Sequence, residues 1–261
     1  MVRGRTDNIQ SVCAIIQARF DSERLPGKIL AELAGKPLLW HICNRLKYSK
    51  RIKHIIVSIP RSKDNDILEK FAKEEQLQCF RGNKKNVLSR FYNTAKKFDC
   101  GIIVRITADN PLIDPQIIDV CIREFIRGKV DYLSTTDHVT RSLPIGLDVE
   151  VFSSNALFKA YRAAKTSYEK EHVTPYMWFN RNREFIIGKT PKLDPNYYRN
   201  YRLTVDWEKD LLLMRKIYDN FFRENAIVDV KKVLRYLDQN QELAMLNIKL
   251  EQQSWKVLRK W

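Results

Sequence analysis

The chain lacks any apolar stretch near the roughly 18 consecutive residues that a membrane-spanning helix needs. Its opening residues, MVRGRTDNIQ, contain no apolar run of the kind a secretory leader carries. No membrane attachment and a cytoplasmic location are therefore the expectation. Cysteine is sparse: five residues, Cys13, Cys43, Cys79, Cys100 and Cys121, stand far apart in the sequence. Without a close pair, neither a zinc knuckle nor a dithiol redox centre is expected, and small reduced core residues fit the apolar patterns around most of them. His41, His54, His138 and His172 show no metal-ligand spacing. The eight glycines form neither the Gly-x-Gly-x-x-Gly of dinucleotide sites nor the Gly-x4-Gly-Lys-Ser/Thr of P-loops. Internal repeats and low-complexity linkers are missing too.

What is present in excess is positive charge, 47 Lys and Arg against 31 Asp and Glu, for a formal net charge of +16. Such a balance invites a nucleic-acid-binding reading. The lysines, however, spread over nearly every segment, and no basic stripe interleaved with aromatics stands out. An anionic small-molecule substrate accounts for the charge equally well, and no specific nucleic-acid partner is expected.

A hydrophobic content of 44% over 261 residues permits one large core. Apolar runs at 12–16, 54–59, 77–80 and 101–107 read as strands. Between them lie helical patterns: Leu38, Leu39, Ile42 and Leu46 on one face, then Ile67, Leu68 and Phe71 behind an Asp64 cap, then 86–98. Asp114-Pro115 supplies an N-cap and first-turn proline for a helix ending near Gly128. This alternation predicts an α/β fold: a mostly parallel, doubly wound sheet with helices on both faces. The second half predicts strands at 131–135, 146–152, 185–188 and 201–205, with a helix capped by Ser153 or Ser154. A further helix spans EKEHVTPYMW (169–178), and another carries Leu211, Leu212, Met214 and Ile217. Two more helical patterns begin near Asp229 and Asn240, so residues 11–224 are expected to form one domain and 225–261 a helical extension packing on it or on a partner subunit. Trp255 and Trp261 in that extension read as packing anchors or a subunit contact.

Residues 15–30, IIQARFDSERLPGKIL, organise the rest. A buried strand empties into a polar loop carrying Arg19, Arg24 and Lys28 together with Ser22 and Gly27. Strand-end loops of open α/β sheets gather ligands, and backbone amides plus fixed cations there suit phosphate. On charge alone a solvated turn explains the loop as well. Further on, Arg105, Thr107 and Asp109 alternate onto one face of a strand that Asn110-Pro111 terminates. Asp148 and Glu150 share a face of the 146–152 strand, lining an acceptor pocket or facing water.

The order of these segments resembles the cytidylyltransferases that activate sugar acids, the CMP-Kdo and CMP-acylneuraminate synthetases, and most of all their spore-coat polysaccharide branch. The resemblance runs through ARFDSERLPGK, GKPLLWHICNRL, FRGNKKNVLSRF, VRITADNPLID, GLDVEVF, EHVTPY and LTVDWEKDL, covering roughly residues 11–215. It implies a nucleotide-diphospho-sugar transferase-like fold and transfer of CMP from CTP to an acidic acceptor with release of pyrophosphate. It implies that Arg19, Ser22 and Lys28 hold the triphosphate with Arg24 close by, and that Arg81 and Asn86 lie near base and ribose. Asp109 and Asp206 correspond to the family's Mg²⁺ ligands, Mn²⁺ being an alternative ion, and Asp210 to an acidic residue of the helix that follows. Arg19, Lys28 and Asp109 would be catalytic, Asp148 and Glu150 acceptor-binding, and the assembly a homodimer. His172 sits in a family-like motif but reads as a hydrogen-bonded structural residue. Two rivals remain, a nucleotide-sugar-dependent glycosyltransferase of related fold and a non-enzymatic basic nucleic-acid-binding protein. If the two aspartates only hold a metal, changing either to Asn is expected to cost little stability.

Overall fold

The structure, a computed structural model, describes residues 11–136 and 142–250; His138, Trp255 and Trp261 lie outside the described residues. The chain order is β1 (Val12–Gln17), the hairpin β2 (Glu32–Leu33) and β3 (Lys36–Pro37), α1 (Leu38–Leu46), β4 (His54–Pro60), α2 (Asp66–Glu74), β5 (Gln78–Gly82) and α3 (Val87–Lys97). Then come β6 (Ile102–Thr107), α4 (Pro115–Gly128), β7 (Tyr132–Ser134), β8 (Glu150–Ser153), α5 (Ser154–Ala163), α6 (Ser167–His172) and α7 (Pro175–Phe179). The last elements are α8 (Glu208–Phe221), α9 (Val230–Gln239) and α10 (Gln241–Ala244).

The main sheet has the order β5-β4-β1-β6-β8-β7. β5, β4, β1 and β6 run parallel, and β8 is antiparallel to both β6 and β7. The continuous apolar run of β1 follows from burial on both faces. Val12, Ala14 and Ile16 join one apolar cluster, while Cys13 and Ile15 join the other with α3 and α5 residues such as Phe91 and Leu157. Sequence order reverses at β1, since β4 lies on one side of it and β6 on the other. The crevice beyond the carboxyl ends of β1 and β6 is thus the topological switch point, where open α/β sheets take their ligands.

Four stretches differ from the sequence expectation. The helix over 169–178 is two helices, because Pro175 has no amide to give to residue 171. Val173 between them takes φ 71°, and the Thr174 amide donates to the His172 carbonyl at 2.8 Å, a three-residue turn unusual for a β-branched residue. The strand expected over 146–152 starts at Glu150, although the alternation holds: Leu147, Val149 and Val151 enter the main core and Phe152 the opposite cluster. The stretches 185–188 and 201–205 are extended but not strands; each makes one isolated bridge, the first to Tyr132 of β7 and the second to Ile145 in the segment ahead of β8. Residues 201–205 lie between two backbones: Leu203 N–H donates to the Ile145 carbonyl at 2.6 Å and Val205 N–H to that of Asp109 at 2.8 Å. The approach is close at Gly146, φ 105°, where a β-carbon would stand 2.6 Å from the Leu203 carbonyl oxygen. Val230, Val233, Leu234 and Leu237 of α9 are buried in the same cluster as the central strands.

Candidate active site

The loop after β1 is a braced turn. Buried Asn65 accepts from the Phe20 amide through Oδ1 at 3.0 Å, and the Phe20 carbonyl accepts from Gly27 at 3.2 Å. Gly27 takes φ 69° just before the 3-10 turn that Lys28 opens. That left-handed step, cheap only for glycine, turns Lys28 inward across the crevice.

The Lys28 ammonium then donates to the Val205 carbonyl at 2.6 Å and to Asp206 Oδ1 at 2.9 Å, with Asp109 Oδ2 at 3.7 Å. Asp109 and Asp206, 97 positions apart by their numbers, thereby meet on one lysine. Arg24 donates to the same Asp206 oxygen at 2.7 Å and lies over the Trp207 ring, 5.6 Å from its centroid. Behind them, fully buried Arg202 reaches Asp206 Oδ2 at 3.1 Å and holds Asp210 through Nε at 2.9 Å and Nη2 at 3.0 Å. Asp210 also accepts the Asp206 and Trp207 amides, capping α8, while Asn247 donates to it from near the C-terminal end at 2.8 Å. Burial works to raise the Asp206 pKa, but Lys28, Arg24 and Arg202 outweigh it and hold the carboxyl below its ordinary range. Three cations thus meet three carboxylates in a closed network.

Around Arg19 and α3 the balance changes. Arg19 is exposed at the end of β1. Arg90 in α3 is only 3% exposed; its Nη1 donates to the Asn83 carbonyl at 2.8 Å and its Nε has no partner. Burial and then the like charge of Arg19 lower its pKa to about 10. Ser22 is buried in the loop between these two groups of charges.

Other residues named from the sequence have other neighbours. Arg81 donates to Glu69 at 2.7 Å, pairs with Asp66 at 2.6 Å and reaches the Ser62 carbonyl at 2.9 Å, tying β5 to the start of α2. Asn86 caps α3, accepting from the Ser89 amide at 2.8 Å. Glu150 is buried and accepts from Arg105 at 2.5 Å, the Tyr132 hydroxyl at 2.6 Å and the Thr174 hydroxyl at 2.7 Å. Its carboxylate therefore fixes Arg105, whose Nε also donates to Gln17 at 3.1 Å. Asp148 is half-buried just ahead of β8. His172 packs tilted against Tyr168, ring centroids 4.5 Å apart, and burial, then Arg105, lowers its pKa.

In the sequence alone Arg90, one turn into its helix, reads equally well as a solvated surface charge, and no motif singles out Arg202. Both left a signal. Arg90 and Thr94 fall on the helical stripe of Val87 and Phe91, polar residues at core positions. Arg202, Thr204 and Asp206 alternate onto one face of an extended segment.

An open α/β sheet with a charged crevice at its switch point defines a ligand-binding α/β protein of the doubly wound class. The whole chain narrows this further. A family model described as cytidylyltransferase matches residues 13–253. An uncharacterised protein of Methanocaldococcus jannaschii is 36% identical over 94% of this chain and 98% of its own length. The spore coat polysaccharide biosynthesis protein SpsF of Bacillus subtilis is 30% identical over 90% and 98%. A solved cytidylyltransferase from Leptospira borgpetersenii superposes with a TM-score of 0.81 at 29% identity, over 90% of this chain and 97% of that one. The chain belongs to the cytidylyltransferase family.

Proposed function

We propose that the protein transfers CMP from CTP to an acidic acceptor, a sugar acid or related molecule, releasing pyrophosphate, in the cytoplasm and as a homodimer. The reading follows the resemblance to SpsF, whose name refers to spore coat polysaccharide, and makes the conjugate a precursor of cell-surface polysaccharide or another glycoconjugate. One observation carries it: Arg24 and Lys28, held by ion pairs, and the exposed Arg19 at the end of β1 border the switch-point crevice beside two carboxylates on separate segments. Attack by an acceptor oxygen on the α-phosphorus calls for charge neutralisation more than for covalent help from protein. Arg19 and Lys28 stabilise the departing pyrophosphate, Ser22 and Arg24 orient the triphosphate, and the 81–86 loop lies towards base and ribose. Asp148 stays assigned to the acceptor side, with Glu150 acting there through Arg105.

The Asp109 and Asp206 oxygens converge on one point, and two carboxylates are the donor set Mg²⁺ prefers when phosphate oxygens and water complete its shell. They fit Mg²⁺ or Mn²⁺, which when bound supplies further neutralisation of phosphate oxygens. Lys28 competes for the same oxygens.

Pyrophosphate release is the test, measured with each nucleoside triphosphate against a panel of sugar acids and related anionic acceptors, with and without EDTA. CTP-dependent release with one acceptor, abolished by EDTA, is the expected result. A preference for another nucleotide, or full activity in EDTA, overturns the corresponding part.

A further inference from the structure

Buried charges in proteins are almost always paired, because taking an ion out of water is costly unless a counter-charge or several hydrogen bonds replace its hydration. Arg90 departs from that rule. It is 3% exposed, its Nε has no partner, and its one protein bond is from Nη1 to the Asn83 carbonyl. Asp21 of the β1 loop is paired with Lys84 through Oδ2, and it is not among the charges that act on Arg90. The charge that acts on Arg90 is another cation, Arg19.

Its position gives the unpaired charge a direction. Helical side chains lean towards the N-terminus of their helix. Arg90, one turn into α3, leans back to the loop at Asn83, beside the first amides of the helix. Those amides have no intrahelical acceptor, and the helix dipole makes this end positive. Asn86 caps only the Ser89 amide. This mouth opens where β5 ends, on the same edge of the parallel sheet as the end of β1 that carries Arg19.

We infer that Arg90 is a nucleotide-binding residue, clamping an anionic polyphosphate oxygen between itself, Arg19 and the N-terminus of α3. The inference rests on the cytidylyl-transfer reading for the identity of the nucleotide, but the clamp is defined by anion chemistry alone. In the ligand-free protein the residue is a cost; the bound anion is its missing partner.

The test uses the full chain, with inorganic tripolyphosphate as the probe in metal-free buffer, on wild type, Arg90→Met and Arg90→Lys. Hydrogen bonds to charged groups lead to an expected loss of tripolyphosphate affinity of roughly 10- to 100-fold in Arg90→Met, with Arg90→Lys in between. Arg90→Met keeps the length that packs on Gly82, so its ligand-free melting temperature should equal or exceed that of wild type. A purely structural arginine gives the opposite pattern, a lower melting temperature with unchanged affinity, and that result overturns the inference. Should Arg90→Met fail to fold, wild-type affinity in Arg90→Lys overturns it equally. Kinetics separate the two levels. CTP turnover with an unchanged KM in Arg90→Lys sinks the clamp and spares the reaction. Tripolyphosphate binding that depends on Arg90, without preference for CTP among triphosphates, keeps the clamp and sinks the cytidylyl reading.

Discussion

Two buried arginines, Arg202 beside the aspartates and Arg90 in α3, are solvated by the protein in opposite ways. Arg202 has Asp206 and Asp210 against its guanidinium, and their attraction outweighs burial and raises its pKa. One of its nitrogens, Nη1, also lacks a partner, yet its charge is met twice over. Arg90 has a carbonyl oxygen and a neighbouring cation, and its pKa falls to about 10. The first arrangement is complete in the protein alone. The second is complete only with an anion. A crevice with one finished wall and one unfinished wall is preorganised without collapsing on itself, since Lys28 and Arg24 are held by Asp206 rather than left to repel one another.

The substitution with the largest effect strikes the finished wall. Asp206→Asn leaves Arg202, Lys28 and Arg24 short of a counter-charge, and breaking a buried ion pair costs about 3–5 kcal/mol. Its melting temperature should fall clearly, while Asp109→Asn, partly exposed with one ion pair at 3.7 Å, should stay within about 0.5 kcal/mol of wild type. Both should lose turnover. The sequence alone leads to the expectation that either aspartate tolerates the amide; the three ion pairs on Asp206 predict instead that this one does not. Equal stability of the two variants would break the contrast.

Next in size is Lys28→Ala, which removes the ammonium shared by both carboxylates. The expected loss is about 2.7–4 kcal/mol of transition-state stabilisation, read as kcat/KM for pyrophosphate release. Arg19→Ala should behave alike in turnover while leaving the ligand-free fold unchanged, because no ion pair of the described residues is attached to it. Wild-type kinetics in both would reduce the loop to a charged turn.

Acid sharpens the comparison from another side. The Asp206 carboxyl titrates below its ordinary range in the folded state, so its contribution to stability is whole above about pH 4, the unfolded value. It is lost as pH falls through the lower folded pKa. Denaturation midpoints followed downward from pH 5 should drop for wild type and less steeply for Asp206→Asn; parallel curves would detach the network from stability.

The smallest expected effect concerns polyanions at large. An unfinished cationic wall attracts any phosphate chain, so duplex DNA should bind weakly, without sequence preference, and release between roughly 50 and 200 mM salt. Sequence-specific binding that survives physiological salt would revive the nucleic-acid rival.

Much of the fold is legible in the sequence. The apolar runs gave the parallel sheet because a strand buried on both faces has no polar positions, and Asp114, Ser153 and Asp229 cap their helices where local sequence rules place them. The ordered motifs brought the family and, through that resemblance, the expectation that Arg19, Lys28, Asp109 and Asp206 form the site. Partners were not legible. Which carboxylate Lys28 meets, that Arg81 is tied to Asp66 and Glu69, and that Glu150 turns inward to Arg105 depend on segments up to 178 positions apart. Burial was equally hidden, since Arg90 and a solvated arginine read alike in sequence. Local preference sets each element within one turn or one strand, where neighbours are fixed by covalent spacing. Charge compensation is settled only when distant elements pack, and that packing left Arg202 with two carboxylates and Arg90 with none.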